Sequence, residues 1–335
     1  MRDVRIDFPH HQSAHCESGV TSNLLKFYGL DITEPMAFGI GTGIYFSYIP
    51  FLRIQYAPMI SFRNLPNKIF HRGMKYLGVD ATVVKKFRDP RESMDALDRN
   101  LENGIPTGLQ VGLFNLTYFP PEYRMHYNMH NIVVYGKEGN NYLISDPSLE
   151  EPQTLTYGDL LRVRWAKGTF SAKGKMYWIN RIPANTDLKG AIMKGIAKTV
   201  YEMTEVPFPL IGTKGLRILA KDLKKWPAKL GDEKASFYLG QILRMSEDVG
   251  TGGAGFRYLY GDFLGEAATV LNNPAFHEIS DEVGDIANKW RDFSYLGSRN
   301  IKMRAKPEES YDKLAGILLD IANQEEKIFK KLSKI

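Results

Sequence analysis

Hydrophobic and polar positions recur with two different periods along the chain, and the change of period divides it. Near the start, Val20, Leu24, Leu25, Phe27 and Tyr28 lie at helical spacing, with Ser18 and Thr21 suited to a first turn and Gly29 to a C-terminal stop. Cys16 therefore falls at or just before a helix N-terminus. Asp31 to Phe38 reads as a short second helix ended by Gly39, and Gly39, Gly41 and Gly43 interrupt the chain before the aromatic run IYFSYIPF. Gln55 to Phe62 alternates weakly, as a strand would. Asn64 to Leu77 reads as an amphipathic helix stopped by Gly78, Asp80 to Lys86 as a strand, and Pro90 to Asn103 as a helix opened by Asp89 and Pro90 and closed by Gly104. PTGLQVGLF follows as a buried strand. Ile132 to Tyr135 and Tyr142 to Ile144 then predict a hairpin about the KEGNN turn. Thr156 to Val163 reads as a short helix, and Lys175 to Arg181 as a closing strand.

After a polar joint at Pro183 to Thr186 the period becomes helical and stays so: Leu188 to Met203, Gly215 to Trp226, Lys234 to Val249, Phe256 to Leu271, Ile279 to Tyr295 and Glu308 to Leu332. These segments share no fixed repeat, which argues against a solenoid. The expected fold class is α+β: a domain over residues 1–183 with an N-terminal helix on an antiparallel sheet, then an all-helical domain over residues 187–335. A chain of 335 residues, 43% hydrophobic, suits two cores better than one.

Chemistry enters with the cysteine. Cys16 is the only one in the chain, so no internal disulfide is available. At a helix N-terminus the unpaired N–H groups and the positive dipole end favour thiolate over thiol. The plainer reading is a small buried hydrophobe, and the nucleophile reading needs a base. His130 opens the first strand of the predicted hairpin and Asp146 closes the second, so an antiparallel pairing makes them neighbours. Their plainer readings are a strand-end histidine satisfied by backbone and a turn former before Pro147. Cysteine, histidine and carboxylate in this order match papain-like transferases and peptidases.

HCES at the start, MAFGIGTGIYFSY, the HNIVVYG and YLISDP hairpin, and GTGGAGFRYLYGDFLGEAA together resemble the butirosin biosynthesis protein H family over nearly the whole chain. The resemblance implies a papain-like domain related to bacteriocin-processing cysteine peptidases, joined to a C-terminal helical domain. It also implies a cysteine-dependent acyltransferase that takes an acyl or aminoacyl group from a thioester, on a carrier protein or coenzyme A, and passes it to an amine of a small acceptor. Carried across, the nucleophile is Cys16, the base His130 and the orienting carboxylate Asp146. Gln12 is the candidate oxyanion donor, although related peptidases place that glutamine further upstream than four residues, and the backbone N–H of Cys16 shares the role. The competing readings are a cysteine peptidase or amidase on the same trio and a non-catalytic fold that binds a peptide or metabolite.

Further candidate substrate contacts are His15 and Glu17 beside the cysteine, Gly41, Gly43 and Tyr45 in the glycine-rich segment, His126 in the aromatic loop before the hairpin, and Arg257. The alternating glycines lack the frame of a phosphate loop, so low backbone that admits a substrate competes with a plain loop. The glycines from 250 to 255, with Arg257 in the following turn, suit either an anion such as a phosphopantetheine phosphate or tight helix packing. His126 and His130 lack an HExxH frame, so neither a metal nor a cofactor is expected. A net charge of +6 is compatible with an acidic carrier protein, but the basic residues form no stripe, which disfavours nucleic acid. With no run of about 18 apolar residues, a membrane span is not expected and a cytoplasmic protein is.

Overall fold

The computed structural model describes residues 3–54, 56–250 and 252–335. Gln55, the first residue of the weakly alternating stretch, and Thr251, in the glycine-rich junction, lie outside the described residues. In chain order the first elements are β1 (Val4–Arg5), α1 (Cys16–Phe27), α2 (Glu34–Ile40), β2 (Ile44–Ile54), β3 (Ala57–Arg63), α3 (Lys68–Leu77), β4 (Asp80–Val84), α4 (Pro90–Glu102) and β5 (Thr107–Val111). The hairpin strands β6 (His130–Glu138) and β7 (Asn141–Ser145) follow, then β8 (Gln153–Thr156), α5 (Tyr157–Arg164) and β9 (Met176–Arg181). The rest is helical: α6 (Leu188–Val200), α7 (Gly212–Leu223), α8 (Trp226–Leu230), α9 (Asp232–Glu247), α10 (Arg257–Leu271), α11 (Ala275–Ile301) and α12 (Tyr311–Leu332).

Local chemistry sets most of these limits. The Asp89 carboxylate accepts from the N–H groups of Arg91 and Glu92 at 2.7 and 3.0 Å, with Pro90 in the first turn, and so starts α4. Gly29, Gly78 and Gly104 all take positive φ just past their helices, as C-terminal stops require. Gly39 behaves differently from the expectation that it ends α2. It lies inside the helix, where a Cβ would come within 2.1 Å of the Phe263 ring, so it serves a close approach and not a stop.

The chain divides into two compact units, and neither is a continuous segment. One comprises Met1–Ala37 and Ile69–Asp187; the other comprises Phe38–Lys68 and Leu188–Ile335. The expected division between residues 183 and 187 therefore omits an excursion, because residues 38–68 pack with the helices. The aromatic run IYFSYIPF falls in a strand. It is β2, paired antiparallel with β3, and its first half is buried within the second unit through Ile44, Phe46 and Tyr48, whereas Phe51 is exposed: Phe46 meets Phe62, whose ring packs edge-on to Trp290 on α11.

The first unit is an antiparallel sheet in the order β4-β9-β5-β6-β7-β8, with β1 on the far half of β6 beyond the reach of β5. Every residue of β5 and the first seven of β6 are buried, so both faces at the centre of the sheet are covered. α1 packs on β6 and β9, α4 on β5 and β6, and α5 on β5 and β7. A helix that begins at a cysteine and rests on such a sheet, with histidine and carboxylate at adjoining strand ends, is the papain-like arrangement. The second unit packs α7 against α12, α10 against α11 and α9 against α11, with the β2–β3 hairpin on α7 and α9.

Candidate active site

α1 begins at Cys16, and its start is fixed from two sides. His15 is the N-cap residue: its Nδ1 accepts the N–H of Ser18 and lies 2.9 Å from the Ser18 hydroxyl. The backbone N–H groups of Ala14 and His15 donate to the Glu34 carboxylate at 2.8 and 2.7 Å, and the Ser18 hydroxyl donates to it at 3.0 Å. Gly19 brings this helix against the loop after β7. A Cβ there would lie 2.6 Å from Ser13 Cβ and 2.8 Å from Pro147 Cβ, and the Ser13 N–H donates to Pro147 O at 2.7 Å. The approach places the cysteine helix beside the residue that follows Asp146.

His130 and Asp146 meet as the hairpin geometry requires. His130 Nε2 lies 2.7 Å from Asp146 Oδ2, both side chains being buried, and Cys16 is the other side-chain partner of the imidazole. Burial, the largest single influence on His130, works against its charge, but the Asp146 carboxylate and then Cys16 outweigh it and raise the imidazole to about 10. Burial likewise works against ionised Asp146, and the charge and hydrogen bond of His130, the Ser148 N–H and the Tyr118 hydroxyl together hold it below the ordinary carboxylate value. The pair is thus an imidazolium and a carboxylate around neutral pH. A cation beside the sulfur favours its thiolate form.

Two polar residues at this site carry no signal in local sequence pattern. Tyr118, in the loop after β5, turns its hydroxyl inward and donates to Asp146 Oδ2 at 2.9 Å; burial and then the carboxylate charge keep that hydroxyl protonated. Asn131 places Nδ2 3.8 Å from Cys16 Sγ and 3.1 Å from Met129 O. Nearby, Phe119 stands edge-on to the His130 ring, so the aromatic loop does border the histidine. The aromatic content of the loop is its cue in sequence; the partners of the Tyr118 hydroxyl and the Asn131 carboxamide have none.

The other expected contacts have their own surroundings. Glu17 is fully buried and accepts from the N–H groups of Ile69 and Phe70 at 2.9 and 3.3 Å, which makes it the cap of α3. Gln12 is exposed on the segment before α1, and the side-chain amide of Asn131 lies 3.8 Å from the sulfur. His126 is exposed and stacks on Phe114. Gly41, Gly43 and Tyr45 belong to the second unit; the turn at Gly43 is closed by its N–H to Phe38 O, and a Cβ there would overlap the Phe38 ring. Arg257 also lies in the second unit, where it is 1% exposed, donates to Glu325 Oε1 at 2.8 Å and to Gly255 O at 2.6 Å, and packs over Trp290. The cavity beside it is about 10 Å³, room for no more than one water. The guanidinium is therefore held in a core ion pair, and Gly255 serves packing: a Cβ there would come within 2.3 Å of Phe62. Among the described residues no group of three or more His, Cys, Asp or Glu side chains could hold a metal ion, and no helix is long and apolar enough to cross a membrane.

The chain matches two family models: butirosin biosynthesis protein H, N-terminal, over residues 15–147, and a domain of unknown function (DUF4872) over residues 158–332. The first match runs from His15 to Pro147 and so encloses Cys16, His130 and Asp146. No protein of curated function matches the chain. Among solved structures it is similar to one described as a C39-like peptidase from Bacillus anthracis, with 14% identity, a TM-score of 0.39, and coverage of 55% of this chain and 100% of that one. With the two models together spanning residues 15–147 and 158–332, the chain belongs to the family that joins the butirosin biosynthesis protein H N-terminal domain to DUF4872.

Proposed function

We propose that the protein is a cysteine-dependent acyltransferase that accepts an acyl or aminoacyl thioester and delivers the acyl group to an amine of a small molecule. The observation that carries the reading is the buried contact of His130 with Asp146 at 2.7 Å, with Cys16 as the histidine's second partner at the start of α1. The Cys16 thiolate attacks the thioester carbonyl, and the backbone N–H of Cys16 at the helix start faces the developing oxyanion. As the tetrahedral intermediate collapses, the donor C–S bond breaks and the departing thiolate takes the proton of the His130 imidazolium. A new thioester on Cys16 remains. The amine then attacks that thioester, neutral His130 accepts the amine proton, and the Cys16–carbonyl bond breaks to return the thiolate–imidazolium pair. Asp146 holds the ring through both proton transfers. The donor thiol is that of a carrier protein or coenzyme A, and the acceptor is a small amine.

Intact mass spectrometry of wild type and Cys16→Ala, incubated with a panel of acyl thioesters with and without simple amines, tests this. An adduct on wild type alone, discharged faster by amine than by water, is the expected result. Equal discharge by water would make the protein a hydrolase, and no adduct from any carrier-bound or coenzyme A thioester would remove the acyl-enzyme altogether.

A further inference from the structure

Asn131 follows His130 directly, yet its carboxamide serves a different atom. Nδ2 lies 3.1 Å from Met129 O and 3.8 Å from Cys16 Sγ, while Oδ1 accepts the Tyr177 hydroxyl at 2.9 Å. These partners fix which end of the amide faces the sulfur. A carbonyl oxygen can only accept, so the group beside Met129 O must be the N–H end. The Tyr177 hydroxyl then donates to Oδ1. Nδ2 has two hydrogens and two acceptors in reach, one of them the cysteine sulfur. Asn131 and Tyr177 are both fully buried, so water does not compete for the amide.

The device depends on the sheet. Tyr177 is on β9 and Asn131 on β6, and β5 lies between them. Gly108 of β5 is the register partner of Tyr177. A Cβ on Gly108 would come within 2.3 Å of the Tyr177 ring, so the missing side chain is what lets the ring lie across β5 and reach Asn131. Phe70 covers the ring at a centroid distance of 4.5 Å.

We infer that Asn131 is a further catalytic residue: its carboxamide, held by Tyr177 across Gly108, donates a hydrogen bond to the Cys16 thiolate. The bond would stabilise the thiolate both as the attacking group and as the group expelled when the amine takes the acyl chain. His130 reaches the sulfur as a cation and Asn131 as a neutral dipole that keeps its orientation at every pH. The inference deepens the acyl-transfer reading and rests on Cys16 as its nucleophile.

Because Cys16 is the one cysteine in the chain, its titration can be followed without interference from other thiols. Wild type, Asn131→Leu and Tyr177→Phe, each first shown folded by circular dichroism, are alkylated with iodoacetamide across pH, and thiolate ultraviolet absorbance is recorded in parallel. Loss of a hydrogen bond to a charged acceptor moves thiolate formation in Asn131→Leu up by about one pH unit, a tenfold loss of thiolate below the midpoint. Tyr177→Phe shifts it in the same direction by less. A folded Asn131→Leu with the wild-type profile overturns the inference; should that variant not fold, an unchanged Tyr177→Phe profile does so. Acyl-adduct assays separate the two ideas: a shifted thiol titration without any adduct keeps Asn131 as the thiolate partner and rejects acyl transfer.

Discussion

At the scale of single residues the site is an arrangement of opposed charges that is almost wholly buried, and pH reads it directly. The raised His130 binds its proton more tightly in the folded chain than in the unfolded one. Its stabilising contribution is complete below the ordinary histidine value, near 6.5, and is lost as pH rises through about 10. Asp146 is the reverse case: its folded value is depressed, so its contribution is present above the ordinary carboxylate value and is lost as pH falls through the lower, folded one. Tyr118 supplies one of the hydrogen bonds behind that depression. Tyr118→Phe should raise the folded Asp146 value, move the acid loss of stability to higher pH, and cost about 1 kcal/mol near neutrality. Urea denaturation from pH 3 to 10 measures this, and an unchanged acid limb would show that Tyr118 does not hold Asp146. The trio itself could be read from chain order and the two ends of one hairpin, since His130 and Asp146 are neighbours by local geometry. Tyr118 and Asn131 could not, because the partner of each is set by tertiary packing: an aromatic loop folded back over the carboxylate, and a tyrosine two strands away.

At the scale of elements, glycines decide how closely the parts that carry the trio approach. α1, α4 and the β6–β7 hairpin lie where the sequence predicts them because caps, stops and a Gly-Asn turn are local signals. β1, two residues long, leaves no pattern, and Thr156, which reads as helical, closes β8 and caps α5. Glu17 reads as a substrate contact because nothing nearby in sequence reveals that a carboxylate on α1 caps α3. Gly19 shows what is at stake. With Ser13 and Pro147 already within 2.8 Å of where a Cβ would sit, Gly19→Ala forces α1 away from the loop that carries Asp146. Overpacking of this kind costs about 1–3 kcal/mol, and the displaced Cys16 should load acyl groups at least tenfold more slowly, on the order of the loss expected from sub-ångström misplacement of a reacting group. Thermal denaturation and the rate of adduct formation on the same preparation check both parts; a wild-type loading rate would mean that the helix position tolerates the change.

At the scale of the whole molecule, the interleaving of the two units in sequence is what linear reading misses. A change from mixed to helical period near residue 187 marks where the last helices begin, but periodicity carries no information about which core a β-hairpin joins. The hairpin's composition held the clue: β2 and β3 bury Ile44, Phe46 and Phe62 almost completely, and the partners of those side chains lie on α11 and on neighbouring residues of the second unit. The Ile211 bridge to Ser47 and the Tyr48 hydroxyl on Asp222 tie the same strands to the start and end of α7. Cutting the chain after Asp187 would therefore not isolate an independent catalytic unit. It would leave a two-stranded hairpin with its aromatic face uncovered, and an isolated hairpin is marginal in water. The fragment of residues 1–187 should aggregate or bind a hydrophobic dye strongly, and replacing Phe46 and Phe62 together by serine should restore part of its solubility. Size-exclusion chromatography with dye fluorescence on the fragment, its double variant and the full chain makes the comparison. A monomeric fragment that melts cooperatively and binds no dye would show that the hairpin does not need the helices, and the division into these two units would have to be redrawn.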